Sequence, residues 1–94
     1  MRDYELVLVF DPDLTEGDQK KQITQVKKII EDLKGKVEKI DEWGRKELAY
    51  PIKKKNSGYY FLLTVKLSAK VTVQVSNKLK LEEGIIRYLL IKKD

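Results

Sequence analysis

The sequence predicts an α+β fold of the ferredoxin-like, split βαβ kind. Its element order is β-α-β-β-α-β, with a four-stranded antiparallel sheet and two helices on one face. Three observations predict it. Apolar residues switch between strand-like alternation and helical spacing in that order. Turn residues separate the segments. The chain has 94 residues, 41% of them hydrophobic, enough for one modest core and no second. Residues 1–94 are therefore read as a single domain.

Arg2–Phe10 reads as the first strand, stopped by Asp11-Pro12-Asp13. Thr15 with Glu16 and Asp18 has the chemistry of a helix N-terminus. Ile23, Val26, Ile30 and Leu33 then form one apolar helical face, and Gly35 is the expected stop after Lys34. Lys36 to Ile52 reads as a long, irregular strand. Val37 and Ile40 are three apart, so a bulge or a twist is expected; Gly44 interrupts the run and Pro51 demotes its end to an edge or loop.

Lys53 to Gly58 is expected to be a polar turn. Tyr59–Leu67 is apolar on both parities and belongs in the middle of the sheet. Ser68 can cap a second helix through Ala69–Leu81. Val71, Thr72, Val73 and Val75 favour a strand by propensity. Val71, Val75 and Leu79 have helical spacing, and the helix is preferred. Glu82-Glu83-Gly84 is a turn, Ile85–Ile91 the last strand, and Lys92-Lys93-Asp94 a short tail.

Parity sorts the strand residues onto two faces. Tyr4, Leu6, Leu8 and Phe10 should meet the helices, with Tyr59, Phe61, Leu63, Val65 and Leu67, and with Ile86, Tyr88 and Leu90. The opposite face carries Glu5, Thr64, Lys66 and Arg87 among Val7, Val9, Tyr60, Leu62, Leu89 and Ile91. An apolar patch of that kind, on a face no helix covers, marks a partner site.

Cysteine and histidine are both absent. That excludes disulfides, thiolate nucleophiles, Cys/His zinc sites and His-based catalysis. Asp11, Asp13, Glu82 and Glu83 could be imagined as catalytic carboxylate pairs, but turn and cap chemistry explains the first two. No cofactor is expected and no metal site is assigned. No apolar run approaches the roughly 20 residues of a membrane-spanning helix. Met1 is followed by Arg2 and Asp3, unlike a secretory leader, so a soluble intracellular protein is expected.

Lys plus Arg is 20 and Asp plus Glu is 15, a net charge of +5 that is unevenly spread. Residues 1–33 carry 5 basic and 8 acidic groups; residues 34–55 carry 8 basic and 4 acidic. A polyanion would therefore meet the second strand, the Lys53–Lys55 turn and the last strand, not the first helix. Cations interleaved with Trp43, Tyr50, Tyr59 and Tyr60 suit RNA: charge for phosphate, rings for stacking.

The run Trp43-Gly44-Arg45-Lys46-Glu47-Leu48-Ala49-Tyr50-Pro51-Ile52 is more specific. It resembles the signature of the bacterial small-subunit ribosomal protein S6 family. Met1-Arg2-Asp3-Tyr4-Glu5, the Asp11-Pro12-Asp13 turn, Gly58-Tyr59-Tyr60 and Ile85-Ile86-Arg87 match the family in the same order, so the resemblance spans the chain. It implies the same ferredoxin-like fold, no catalysis, and a place in the platform of the small subunit of the cytoplasmic ribosome. It also implies binding of 16S ribosomal RNA together with small ribosomal protein S18, as a heterodimer. Some members carry a longer C-terminal tail.

By that resemblance Leu48, Ala49, Tyr50, Pro51 and Ile52 serve the protein partner. Arg45 and Lys46 flank them with charge, and Trp43 and Tyr60 add amphipathic rings. For RNA the expected residues are Arg2, Tyr4, Lys53, Lys54, Lys55, Arg87, Lys92 and Lys93. Arg2 and Arg87 lead, because a guanidinium forks to phosphate. Tyr4 has core-facing parity, so only its hydroxyl would reach RNA.

Two rival readings share the element order. An RNA-recognition-motif module would turn Tyr59 and Phe61 to the open face and bury Lys66; the basic and small positions of its third-strand consensus are Ser57 and Tyr60 here. A homodimer through the apolar sheet face is the other.

Overall fold

A computed structural model describes residues 1–93. Asp94, the last residue of the expected tail, lies outside them. The order is β1 (Arg2–Phe10), α1 (Glu16–Asp32), β2 (Lys36–Ile52), β3 (Lys55–Leu67), α2 (Thr72–Leu79) and β4 (Ile85–Lys92). The strands form one antiparallel sheet in the order β2-β3-β1-β4, the topology of the split βαβ sandwich. β1 and β3 are central, and β2 and β4 are the two edges.

Side-chain parity builds the core. Leu6, Leu8, Phe10, Leu63, Val65 and Leu67 are fully buried against Val26 and Ile30 of α1 and Val75 and Leu79 of α2. Phe10 and Phe61 meet with ring centroids 5.0 Å apart. Phe61 therefore faces the helices, and Lys66 is half-exposed beside Asp3, 3.4 Å away. Both observations go against the RNA-recognition-motif arrangement.

Helix ends follow local chemistry. The Thr15 hydroxyl accepts the Asp18 N–H at 3.1 Å, starting α1. At its other end the left-handed residue is Lys34, φ 67, rather than the expected Gly35. Lys34 N–H donates to Glu31 C=O and Gly35 N–H to Ile30 C=O, a Schellman closure. Gly35 is needed for space: a Cβ there would stand 2.5 Å from Leu67 Cδ2 and 2.7 Å from Lys66 C=O. The second helix forms as expected, entered through a 3₁₀ turn at Ala69–Val71. Val75 and Leu79 point inward; burial settled the propensity conflict.

Two expectations need correction. The β2–β3 turn is only Lys53-Lys54, both with positive φ (49 and 66), and Lys55–Gly58 already belong to β3. This is a two-residue hairpin of the primed kind, whose twist matches its strands. The second correction is in β4. A register shift between Val9 and Phe10 sets Phe10 opposite Ile85 and Val9 opposite Arg87. Ile85 therefore joins the core cluster. Ile86 approaches Gly58 and Val9 on the other face instead of meeting the helices. Tyr88 and Leu90 keep the expected side, both half-buried.

Candidate nucleic-acid and protein interface

β2 departs from its neighbour at the residues expected to meet a protein partner. The register slips between Glu42 and Gly44, leaving Trp43 without an opposite residue. Gly44 makes the bend with φ 82. Trp43 is 46% exposed, with the Lys46 ammonium 5.3 Å from its ring centroid. That cation–π contact orders a ring that has no core to enter.

A larger slip follows. Glu47 is opposite Ser57, but the next pair is Ile52 with Lys55. Four residues, Leu48 to Pro51, thus stand against Asn56 alone and arch off the sheet edge. Pro51 has no N–H to offer a ladder, which suits an arch. Leu48 and Ile52 are half-buried at its feet; Ala49, Tyr50 and Pro51 are exposed. Tyr50 is 58% exposed, and its hydroxyl accepts a hydrogen bond from Arg87 Nη1 at 3.1 Å. The arch therefore leans across the open face to the opposite edge strand.

That open face is apolar but less bare than parity suggested. Val9 is buried; Val7, Tyr60 and Leu62 are half-buried; Leu89 and Ile91 are about half exposed. Val7, Val9, Tyr60, Arg87 and Leu89 surround a shallow hollow of about 150 Å³.

The residues expected to meet RNA do not form one cluster. Arg87, Lys53 and Lys54 are exposed at the hairpin end of the molecule. Arg2, Lys92 and Lys93 are exposed at the other, where Lys93 N–H donates to Asp3 C=O. From Val9, opposite Arg87, back to Arg2 is roughly 23 Å along β1.

Two of the expected RNA residues are otherwise engaged. Lys55 is half-buried, hydrogen-bonded to Asp13 Oδ2 and 3.7 Å from Asp11 Oδ1. Asp11 Oδ1 also accepts the Asp13 N–H, so the Asp11–Asp13 turn and the start of β3 are one unit. The Lys55 ammonium holds the Asp13 carboxyl below its ordinary 3.8, chiefly through that hydrogen bond. Asp13 in turn raises Lys55 above 10.5. The same turn chemistry accounts for Asp11 and Asp13, one of the two carboxylate pairs that could have suggested catalysis. Tyr4 is 7% exposed and part of the core, reaching the surface only in a groove between β4 and α2. That groove also contains Thr72, Ser76 and Lys80, which sequence reasoning passed over. Their i, i+4, i+8 spacing marked them as one helix face, but nothing local indicated that β4 would lie beside it.

Comparison with known proteins agrees with this geometry. The family model described as Ribosomal protein S6 matches residues 3–92. The small ribosomal subunit protein bS6 of Caldanaerobacter subterraneus is 39% identical over 94 residues, spanning 100% of this chain and 99% of that protein. That of Streptomyces coelicolor is 35% identical, over 98% of this chain and 96% of the relative. The crystal structure of 30S ribosomal protein S6 from Thermotoga maritima superposes with a TM-score of 0.91 at 30% identity, covering 98% of this chain and 87% of that one. With a signature run on an arched edge strand, a matching sheet order and full-length similarity, this chain belongs to the ribosomal protein S6 family, structural and non-enzymatic components of the small ribosomal subunit.

Proposed function

We propose that the chain binds 16S ribosomal RNA in the platform of the small subunit, together with protein S18 as a heterodimer. One observation carries this reading: the Leu48–Pro51 arch leaves its own sheet, and Tyr50 at its crest is bonded to Arg87. An apolar surface withdrawn from internal pairing is available to a protein. The guanidinium at its margin spends one donor on Tyr50 and keeps others for phosphate. At this bond a residue expected to meet the protein partner touches one expected to meet RNA, which supports joint recognition of the two. Arg45 and Lys46, exposed below the arch, discourage self-pairing of the edge.

The test is binding to a platform-domain 16S RNA fragment, with and without S18, across a salt series. The expected result is tighter RNA binding in the presence of S18, and affinity that falls steeply with salt. No binding in either mixture at low salt overturns the proposal. So does a tight homodimer at micromolar concentration that ignores added S18, because the open face would then belong to a second copy.

A further inference from the structure

The charge of the first helix is not spread as its sum implies. Residues 1–33 are acidic overall, but within α1 the acids stand at the ends: Glu16 and Asp18 in the first turn, Glu31 and Asp32 in the last. Between them lie Lys20, Lys21, Lys27 and Lys28, all exposed, and no carboxylate. Lys20 meets Glu16 at 3.8 Å, an exposed contact of little strength. Among the described residues Lys21, Lys27 and Lys28 form no ion pair. This basic ridge lies on the helix layer, the side of the sheet opposite the open face.

A hollow runs beside the ridge, because two helices do not cover four strands. Ile40 and Glu42 of β2 stand opposite Leu63 and Phe61, so both point to the helix side. Ile40 is nevertheless 38% exposed. With Ile23 and Phe61 it floors a hollow of about 450 Å³ between α1 and β2. Lys20 and Lys27 line its α1 rim, about 10 Å apart along the helix, and Glu42 lines the β2 rim. An apolar floor with a cationic rim on one side and an anionic rim on the other has a direction.

We infer that the α1–β2 hollow is a docking site for an acidic amphipathic segment of another protein. Such a segment seats a large apolar side chain against Ile23, Ile40 and Phe61 and lays its carboxylates along the α1 lysines. Glu42 repels a carboxylate on the far rim, which fixes the side on which the acids lie. Charge complementarity selects this occupant. A second copy docking ridge to ridge would set lysine against lysine. RNA would find no arginine on α1 and no ring to stack on, since Phe61 is 6% exposed. The hollow and the open face lie on opposite sides of the sheet, so the inference does not depend on the RNA reading above.

The test titrates the full chain with a synthetic probe, a short helical peptide with leucine and phenylalanine on one face and aspartate and glutamate on the other. Fluorescence anisotropy at low salt gives the affinity, and NMR shifts give the place. Shifts are expected at Ile23, Ile40 and the α1 lysines. The double variant Lys20→Glu with Lys27→Glu is expected to weaken binding about tenfold, and Glu42→Lys to tighten it about threefold. All three positions are at the surface, and unchanged melting curves confirm that the variants fold. Loss of affinity is also expected when alanine replaces the probe's leucine and phenylalanine. Equal binding by that alanine probe overturns the inference, because charge alone would then account for it. So do absence of binding, shifts confined to the open sheet face, and affinity indifferent to charge reversal. Shifts at α1 on adding the platform-domain RNA fragment, abolished by the same double variant, overturn it as well and make the ridge a nucleic-acid site.

Discussion

Arg87 Nη1 donates to the hydroxyl of Tyr50 at 3.1 Å, joining the two edge strands across β3 and β1. One partner comes from the stretch assigned to protein binding and the other from the set assigned to RNA. The phenol oxygen occupies a donor that a phosphate would use. Tyr50→Phe removes that competitor and is expected to tighten RNA binding by the isolated chain about twofold, the low end for one exposed hydrogen bond. Arg87→Ala is expected to weaken it and lower the salt slope by about one. Filter binding over a salt series reads both. Unchanged affinity for Tyr50→Phe would mean that the hydrogen bond does not restrain Arg87.

Lys55 gives the hairpin base a dependence on pH. The lowered Asp13 pKa means that the pair contributes fully above 3.8 and is lost as the pH falls through the lower folded value. The raised Lys55 pKa means that the contribution is fully present below 10.5 and is lost as the pH rises through the higher folded value. Asp13→Asn should therefore lower the melting temperature at neutral pH, and the difference from the parent chain should shrink at both extremes. Thermal unfolding at pH 2, 7 and 12 checks this. A difference independent of pH would assign the effect to the turn rather than to the ion pair.

Gly35 and Gly44 separate space from conformation. Gly35→Ala drives a methyl into Leu67 and the Lys66 carbonyl, and is expected to cost about 1–3 kcal/mol as overpacking. At Gly44 no atom lies within 4 Å of the added carbon, so Gly44→Ala should cost only the left-handed penalty, about 1–2 kcal/mol. Denaturant unfolding gives both values. Relief of the Gly35→Ala defect by Leu67→Val would identify the clash.

Lys53 and Lys54 hold left-handed angles that Asn and Gly adopt more readily. The double replacement Lys53→Asn with Lys54→Gly is expected to raise stability by about 1 kcal/mol or more. If these lysines reach phosphate, the same variant loses RNA affinity and salt slope. Gain of stability with unchanged RNA binding would remove the hairpin tip from the RNA surface.

Much of the fold was legible because neighbouring residues carried it. The bounds of β1, the Thr15 cap and the bulge after Val37 each depend on a few adjacent side chains. The hairpin tip was misplaced because two lysines adopt angles expected of Asn-Gly, while Asn56, Ser57 and Gly58 looked more like a turn. The exchange of Ile85 for Ile86 in the core arises from a slip against β1, visible only once the strands are paired. The interface was half legible. Its residues were recognisable in the signature run, but the Tyr50–Arg87 bond and the Lys55–Asp13 bond span 37 and 42 positions. The groove was hidden for the same reason: helix periodicity defines one wall, and only topology supplies the other.

The central place of β1 sets a timetable for synthesis. Arg2–Phe10 is translated first, but both of its neighbours, Lys55–Leu67 and Ile85–Lys92, come later. At ordinary elongation rates roughly 4–15 s separate the strand from its last partner. Throughout that interval at least one edge of an apolar strand is bare. A nascent chain arrested before Ile85 would present that edge to any other strand it met, so the newly made protein depends on prompt completion of its own sheet.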